Sequence, residues 1–195
     1  MNDYLVFDSD DFGCNHIISD QCQSHDCRDV LLKLKEVNPR FKATLFAIPD
    51  EMTLELLEWS KKNGDWIELS QHGFNHSSNH ECDKMSYDDF DVWMTEQPRA
   101  YLLDKYFSVG FKSPGWQTSD SVFRWLRDHN FWIADQPYNK NRRPKDLKVY
   151  EVGAESLHTH TWNCVGNGVY ELYDMLEARI AGEKEFKLIS ELFDE

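Results

Sequence analysis

The chain has 195 residues, and 21 Lys plus Arg stand against 35 Asp plus Glu, a formal charge of −14. That length fits a single domain, 1–195, and a content of 41% hydrophobic and 14% aromatic residues excludes a disordered chain. The acidic balance excludes a general nucleic-acid or anionic-membrane binder, because both need a basic face.

No run approaches the roughly 18 apolar residues of a membrane span. Met1-Asn2-Asp3-Tyr4 lacks the basic start and long apolar middle of a secretory signal, so a cytoplasmic location is expected. Five cysteines at uneven positions (Cys14, Cys22, Cys27, Cys82, Cys164) do not read as a disulfide framework.

Strand-like and helical runs alternate along the chain. Tyr4-Leu5-Val6-Phe7 reads as a strand, and Asp29 to Glu36 as a short helix. Ala43 to Ala47 is a strand; Thr53 caps a helix carrying Leu54, Leu57 and Trp59, with Gly64 as its stop. Trp66 to Leu69 is a strand, Ser86 and Asp89 form a capping box, and a second helix runs from Arg99 to Tyr106. Gly110 to Lys112 is a strand, Ser119 caps a helix through Leu126, and Phe131 to Ala134 is a strand. The basic stretch Asn139 to Lys145 reads as a surface loop. Val149 to Val152, Ser156 to His160 and Phe186 to Ile189 complete the strands, and a helix is expected over Val169 to Ala181. Repeated βα units imply a parallel sheet or barrel with helices outside.

Ionisable residues gather at the strand ends, where such folds carry chemistry. Phe7 precedes Asp8-Ser9-Asp10-Asp11, Leu69 precedes Ser70-Gln71-His72-Gly73-Phe74-Asn75-His76, Ala134 precedes Asp135, and Leu157 precedes His158-Thr159-His160. Asp with two His is a common divalent-metal set, and the His72-x-x-x-His76 spacing fits one helical turn with both rings pointing one way. Each motif alone also reads as a solvated turn; their joint occurrence at successive strand ends favours a metal site.

In these motifs the chain resembles the NodB-type polysaccharide deacetylases. The Thr-Phe-Asp-Asp-Gly motif of that family is matched by the stretch from Val6 to Gly13, whose Asp-Asp-Phe-Gly form also resembles the YdjC-like relatives. Lys42-Ala43-Thr44-Leu45-Phe46 matches a Lys-Ala-Thr-Phe-Phe strand, and Ile67 to His76 a Glu-Ile-Gly-x-His-[Ser/Thr]-x-x-His motif. Phe111-Lys112-Ser113-Pro114-Gly115-Trp116 echoes Phe-Arg-x-Pro-[Tyr/Phe]-Gly, and the segment from Leu157 to His160 echoes the last motif.

The resemblance implies a distorted (β/α)7 barrel of class α/β and one divalent ion, zinc or else cobalt, nickel or manganese, on Asp11, His72 and His76. It implies Asp10 as general base, with Asp8 as rival. It implies His160 or His158 as general acid, His160 being favoured by the following Thr161-Trp162, and Asp135 as the carboxylate that orients that histidine. Lys112 replaces the motif arginine that orients the base; it keeps the charge but loses the planar fork. Trp116 and Trp162 lie beside these residues and could wall a sugar pocket or pack in the core. The segment carrying Cys14, His16, Cys22, His25 and Cys27 could hold a second zinc or be a thiol-rich loop; His80, Cys82 and Asp83 could add a fourth ligand or be loop residues.

The implied activity is metal-dependent removal of an acyl group from an amide nitrogen of a small carbohydrate or sugar derivative. The alternatives are hydrolysis of a non-sugar C–N bond, as in a cyclic amide or formamide, and an inactive sugar- or protein-binding module. Substrate, acyl group and oligomeric state stay open.

Overall fold

The computed structural model describes residues 4–13, 28–96, 100–153, 156–160, 177, 179–181 and 185–193. Among the described residues eight strands are present: β1 Tyr4–Phe12, β2 Ala43–Ala47, β3 Ile67–His72, β4 Gly110–Lys112, β5 Trp132–Asp135, β6 Lys148–Glu151, β7 Ser156–His160 and β8 Glu185–Phe186. The helices are α1 Arg28–Val37, α2 Leu54–Lys62, α3 Tyr87–Thr95, α4 Ala100–Tyr106 and α5 Asp120–Asp128. The sheet order is β6-β5-β4-β3-β2-β1-β7, with β8 beside the start of β1, and every pair is parallel. The seven main strands make a curled half-barrel with helices, a distorted (β/α)7 barrel.

Local chemistry sets these elements. Thr53, Ser86 and Ser119 each accept a hydrogen bond from the N–H three residues on, capping α2, α3 and α5. The strands alternate between two apolar layers, as a period of two requires. Phe7, Leu45, Ile67 and Leu69 pack outward with Leu31, Leu34 and Leu57, while Phe111 and Ile133 pack with the helical Phe90, Trp125 and Leu126. Val6, Phe46, Trp132, Ala134 and Val152 form a separate inner layer. The Phe46 and Trp132 rings meet edge to face at 6.0 Å. Gly110 is obligatory beneath them: a Cβ there would lie 2.0 Å from the Trp132 ring.

Several expectations are revised. The ribbon of β1 runs on to Phe12, so the acidic run is strand rather than loop. The histidine motif is not a helical turn: His72 ends β3, Gly73 and His76 take positive φ of 57° and 49°, and the chain turns sharply between them. The final strand shrinks to Glu185–Phe186, and Ser190–Leu192 forms a 3-10 turn. The stretch read as a surface loop begins as a 3-10 turn, Pro137–Arg142, with Asn139 buried. The Cys14 to Cys27 segment, Trp162 and most of the expected helix Val169 to Ala181 lie outside the described residues. No helix among the described residues is long and apolar enough to cross a membrane.

Candidate active site

The carboxyl ends of β1, β3, β4 and β7 converge. The parallel register places Asp8 opposite His158 and Asp10 opposite His160 across β1 and β7, and His72 opposite Lys112 across β3 and β4. Residues two apart on a strand share a face, so Asp8 and Asp10 look the same way. Asp11 joins them because the register slips between Ser9 and Phe12 and Asp11 takes a φ of 59°. A non-glycine residue in that region costs about 1–2 kcal/mol, which the surrounding packing must offset. Asp8, Asp10 and Asp11 are all buried.

One cluster joins Asp11, His72 and His76. Nε2 of His72 and Nε2 of His76 stand 3.4 Å and 3.6 Å from Asp11 Oδ1. Ligands of a tetrahedral ion with bonds of about 2.0–2.1 Å lie roughly 3.3–3.4 Å apart, so these donors fit a single zinc-like centre. The tautomer also fits: His72 Nδ1 lies 3.1 Å from the Lys112 carbonyl and donates to it, leaving the Nε2 lone pair facing Asp11. Burial pulls His72 down to about 4, against the opposing pull of Asp10 and Asp11, so the ring is neutral at pH 7. His160 Nε2 lies 3.6 Å from the other Asp11 oxygen, and burial lowers its basicity too.

His76 rides on a loop clamped by Glu81, whose two oxygens accept the N–H groups of Phe74 and Asn75, each at 3.1 Å. The clamp explains Gly73: a Cβ there would sit 2.1 Å from Glu81 Oε2 and 2.6 Å from Pro114 Cγ. Nothing in the sequence pattern singled out Glu81. Its neighbours do not reach the cluster: His80 pairs with Asp83 at 3.1 Å, and Cys82 is buried in the apolar layer under α3 and α5.

A second cluster joins Asp8, Asp10 and His158. Lys112, fully buried, places Nζ 2.5 Å from Asp10 Oδ1 and 3.8 Å from Asp8 Oδ1. Its ammonium also lies 3.7 Å from the centroid of the Trp116 ring and 5.0 Å from that of Phe46. Burial alone would raise the Asp10 pKa; Lys112, His72 and His158 outweigh it and hold the carboxyl at about 2. His158 Nδ1 lies 2.6 Å from Asp8 Oδ1, and its Nε2 lies 3.8 Å from Asp10 Oδ2. Trp116, half-buried, sets its ring edge-on to His158 at 5.5 Å.

The role expected for Asp135 falls elsewhere. The Asp135 carboxylate is taken by Asn139 at 2.8 Å and by the Arg143 guanidinium at 2.9 Å, so it holds the 3-10 turn. The carboxylate on a candidate acid is Asp8, which the sequence offered only as an alternative base.

No family profile and no curated protein sequence matches the chain. Solved structures do. A chitin deacetylase from Colletotrichum lindemuthianum superposes with a TM-score of 0.60 at 12% identity, over 97% of this chain and 86% of that one. The fold is that of the NodB-type deacetylases. A family 4 acetyl xylan esterase from Clostridium thermocellum, solved with a cobalt ion, gives 0.59 at 15% identity over 96% and 89%. A 4-α-glucanotransferase from Thermococcus litoralis gives 0.67 at 12% identity, over 97% of this chain but 38% of that one. The likeness is therefore to a NodB-type barrel, and function has to be argued from the strand-end side chains.

Proposed function

We propose that the protein is a metal-dependent deacetylase acting on an N-acetylated carbohydrate or sugar derivative. One observation carries this reading: a three-donor cluster, Asp11, His72 and His76, lies directly beside an ionised Asp10 and a carboxylate-held His158. Acid, base and ligands thus surround one small volume, as hydrolysis of an amide requires. Its structural neighbours include a chitin deacetylase and an acetyl xylan esterase, which supports an acetylated sugar as substrate class.

A divalent ion on Asp11, His72 and His76 would supply a Lewis acid that polarises the acyl carbonyl and lowers the pKa of water. Asp10, held ionised by Lys112, accepts the proton of the attacking water. His158 gives a proton to the departing nitrogen through Nε2. Its Nδ1–H is anchored on Asp8, which fixes the ring's orientation and leaves Nε2 facing the site. This geometry moves the preference for the acid from His160 to His158: His160 lies on the Asp11 side of the site, among the metal donors. Trp116 shields the Lys112–Asp10 pair from water and forms one wall of the sugar site. The Lys112 point charge touches both carboxylates, so it takes the place of a bidentate arginine on one of them.

The test is metal content and acetate release on protein purified without chelator, with the Asp11→Ala/His76→Ala variant alongside. The expected result is about one ion per chain, acetate released from N-acetylated oligosaccharides, and both lost in the variant. A parent that takes up no zinc or cobalt would overturn the hydrolase reading. Acetate released only from O-acetylated xylan would overturn the amide assignment while keeping the metal centre.

A further inference from the structure

The barrel is polar at both poles, and the inner apolar layer of Val6, Phe46, Trp132, Ala134 and Val152 separates them. At the pole away from the site, β3 and β4 part: they pair only at Gln71–Phe111 and His72–Lys112. Beneath that pairing lies a cavity of about 340 Å³, within the size range of small-molecule pockets. Ser60, Lys61, Glu68, Lys105, Ser108 and Ser190 are among the residues that line it.

Two features of the wall are costly if the cavity serves nothing. Ser60 Oγ is buried without a hydrogen-bond partner. Glu68 is a buried carboxyl with no Lys, Arg or His in ion-pair range; its only donors are neutral, the Thr44 hydroxyl at 2.8 Å, the Ser190 N–H at 3.4 Å and the Ser190 and Ser108 hydroxyls, so it lacks a countercharge. A buried carboxylate is ordinarily paired, because leaving it alone costs several kcal/mol, roughly. Burial indeed pushes the Glu68 carboxyl above its ordinary range. Ser60 Oγ lacks a partner and Glu68 lacks a countercharge, and an ammonium group supplies both. The carboxyl end of α2, where Ser60 and Lys61 sit, adds the negative end of the helix dipole and favours a cation further. Lys61 and Lys105 are exposed on the same wall and both lie over the Tyr106 ring; Glu58, 3.5 Å from Lys105 Nζ, offsets one of the two charges, and the remaining positive charge disfavours a bare cation and welcomes an anionic tail.

We propose that this cavity is a binding site, separate from the catalytic one, for a small molecule bearing both a primary ammonium group and a carboxylate or phosphate. The ammonium sits on Glu68 and Ser60, and the anion meets Lys61 and Lys105. Two sources share this chemistry, α-amino acids and amino-sugar phosphates, and neither depends on the reaction proposed above.

Isothermal titration calorimetry on the full chain tests it, with L-serine, L-glutamate and glucosamine 6-phosphate as probes. Glucose 6-phosphate lacks the ammonium and glucosamine lacks the anion. At least one probe is expected to saturate a single site, and which one responds identifies the source. Both truncated compounds should bind at least tenfold more weakly. Glu68→Gln should weaken binding at least tenfold. Ser60→Ala, a smaller change that keeps the fold if Glu68→Gln does not, should weaken it about threefold, the loss of one hydrogen bond. His76→Ala should leave it unchanged. The proposal fails if no probe binds, if binding survives both wall substitutions, or if His76→Ala abolishes it.

Discussion

Replacing Lys112 by methionine isolates what the buried ammonium does. The side chain has 1% exposure, and its Nζ is the only Lys or Arg cation within 4 Å of both Asp8 and Asp10 among the described residues. Methionine fills similar volume beside Trp116 and Phe46, so packing changes little. The charge balance changes a great deal: two buried carboxylates face each other with no ammonium between them. Breaking a buried pair by removing one partner costs about 3–5 kcal/mol. For a domain of this size that is a fall in Tm of very roughly 6–20 °C. The assay is urea denaturation at pH 7 with EDTA, so that no ion compensates the carboxylates. The companion is the double variant Asp10→Asn/Lys112→Met, which removes one orphaned charge together with its partner. It should recover at least half of the loss, a coupling of about 2 kcal/mol or more between neighbouring sites. A loss under about 1 kcal/mol for Lys112→Met, or a double variant as unstable as the sum of the singles, would refute the reasoning.

Three further outcomes follow from the same geometry. Gly73→Ala should cost at least about 2 kcal/mol, from a Cβ in the left-handed region and against Glu81, and by displacing His76 should weaken metal binding about tenfold or more in a competition titration; unchanged metal affinity would count against the Glu81 clamp. Arg143→Ala should destabilise by about 3–5 kcal/mol, because Asp135 keeps only Asn139 as a partner; thermal unfolding showing a shift under 2 °C would contradict that. Glu68 titrates in the folded state above its ordinary 4.5, so the folded chain holds that proton to higher pH than the unfolded one, and stability is lost as pH rises past 4.5. Glu68→Gln should therefore gain Tm over the parent from pH 4.5 to pH 8, and a constant difference across that range would be inconsistent with a raised Glu68.

Much of the fold was legible because it is local. The helix caps at Thr53, Ser86 and Ser119 need only a hydroxyl and a following N–H. The strands from Ala43, Gly110 and Ser156 were marked by short apolar or alternating runs. The candidate metal donors were legible as types at successive strand ends. Their partners were not, because partnership is a matter of register between distant segments. His158 meets Asp8 across 150 positions, and no spacing within either motif distinguishes Asp8 from Asp135 as its carboxylate. Arg143 looked like one charge in a basic surface stretch until Asp135 was found beside it. Glu81 lay outside every motif, since its function is to accept two backbone N–H groups, a demand that leaves no pattern in side-chain type. The helical spacing of His72 and His76 misled for a related reason: four residues bring two rings together in a tight left-handed loop as well as in a helix turn.

The pairing of β1 with β7 has a consequence for how the site can vary. The proposed proton donor and acceptor, His158 and Asp10, occupy rungs two apart on one backbone ladder, Asp8 with His158 and Asp10 with His160. A slip of one rung would turn both histidines to the far side of the sheet, and a slip of two would set one histidine against the other's aspartate and leave the second histidine opposite neither. Distance between acid and base is thus a property of the main chain, insensitive to substitutions around it. The proposed ligand His76 instead sits on a loop held by Glu81. Variation that retunes which ion or which sugar is accepted has room to act on that loop while proton transfer stays untouched. Random mutagenesis of the chain should accordingly find altered specificity concentrated between β3 and α3, and dead variants concentrated along β1 and β7.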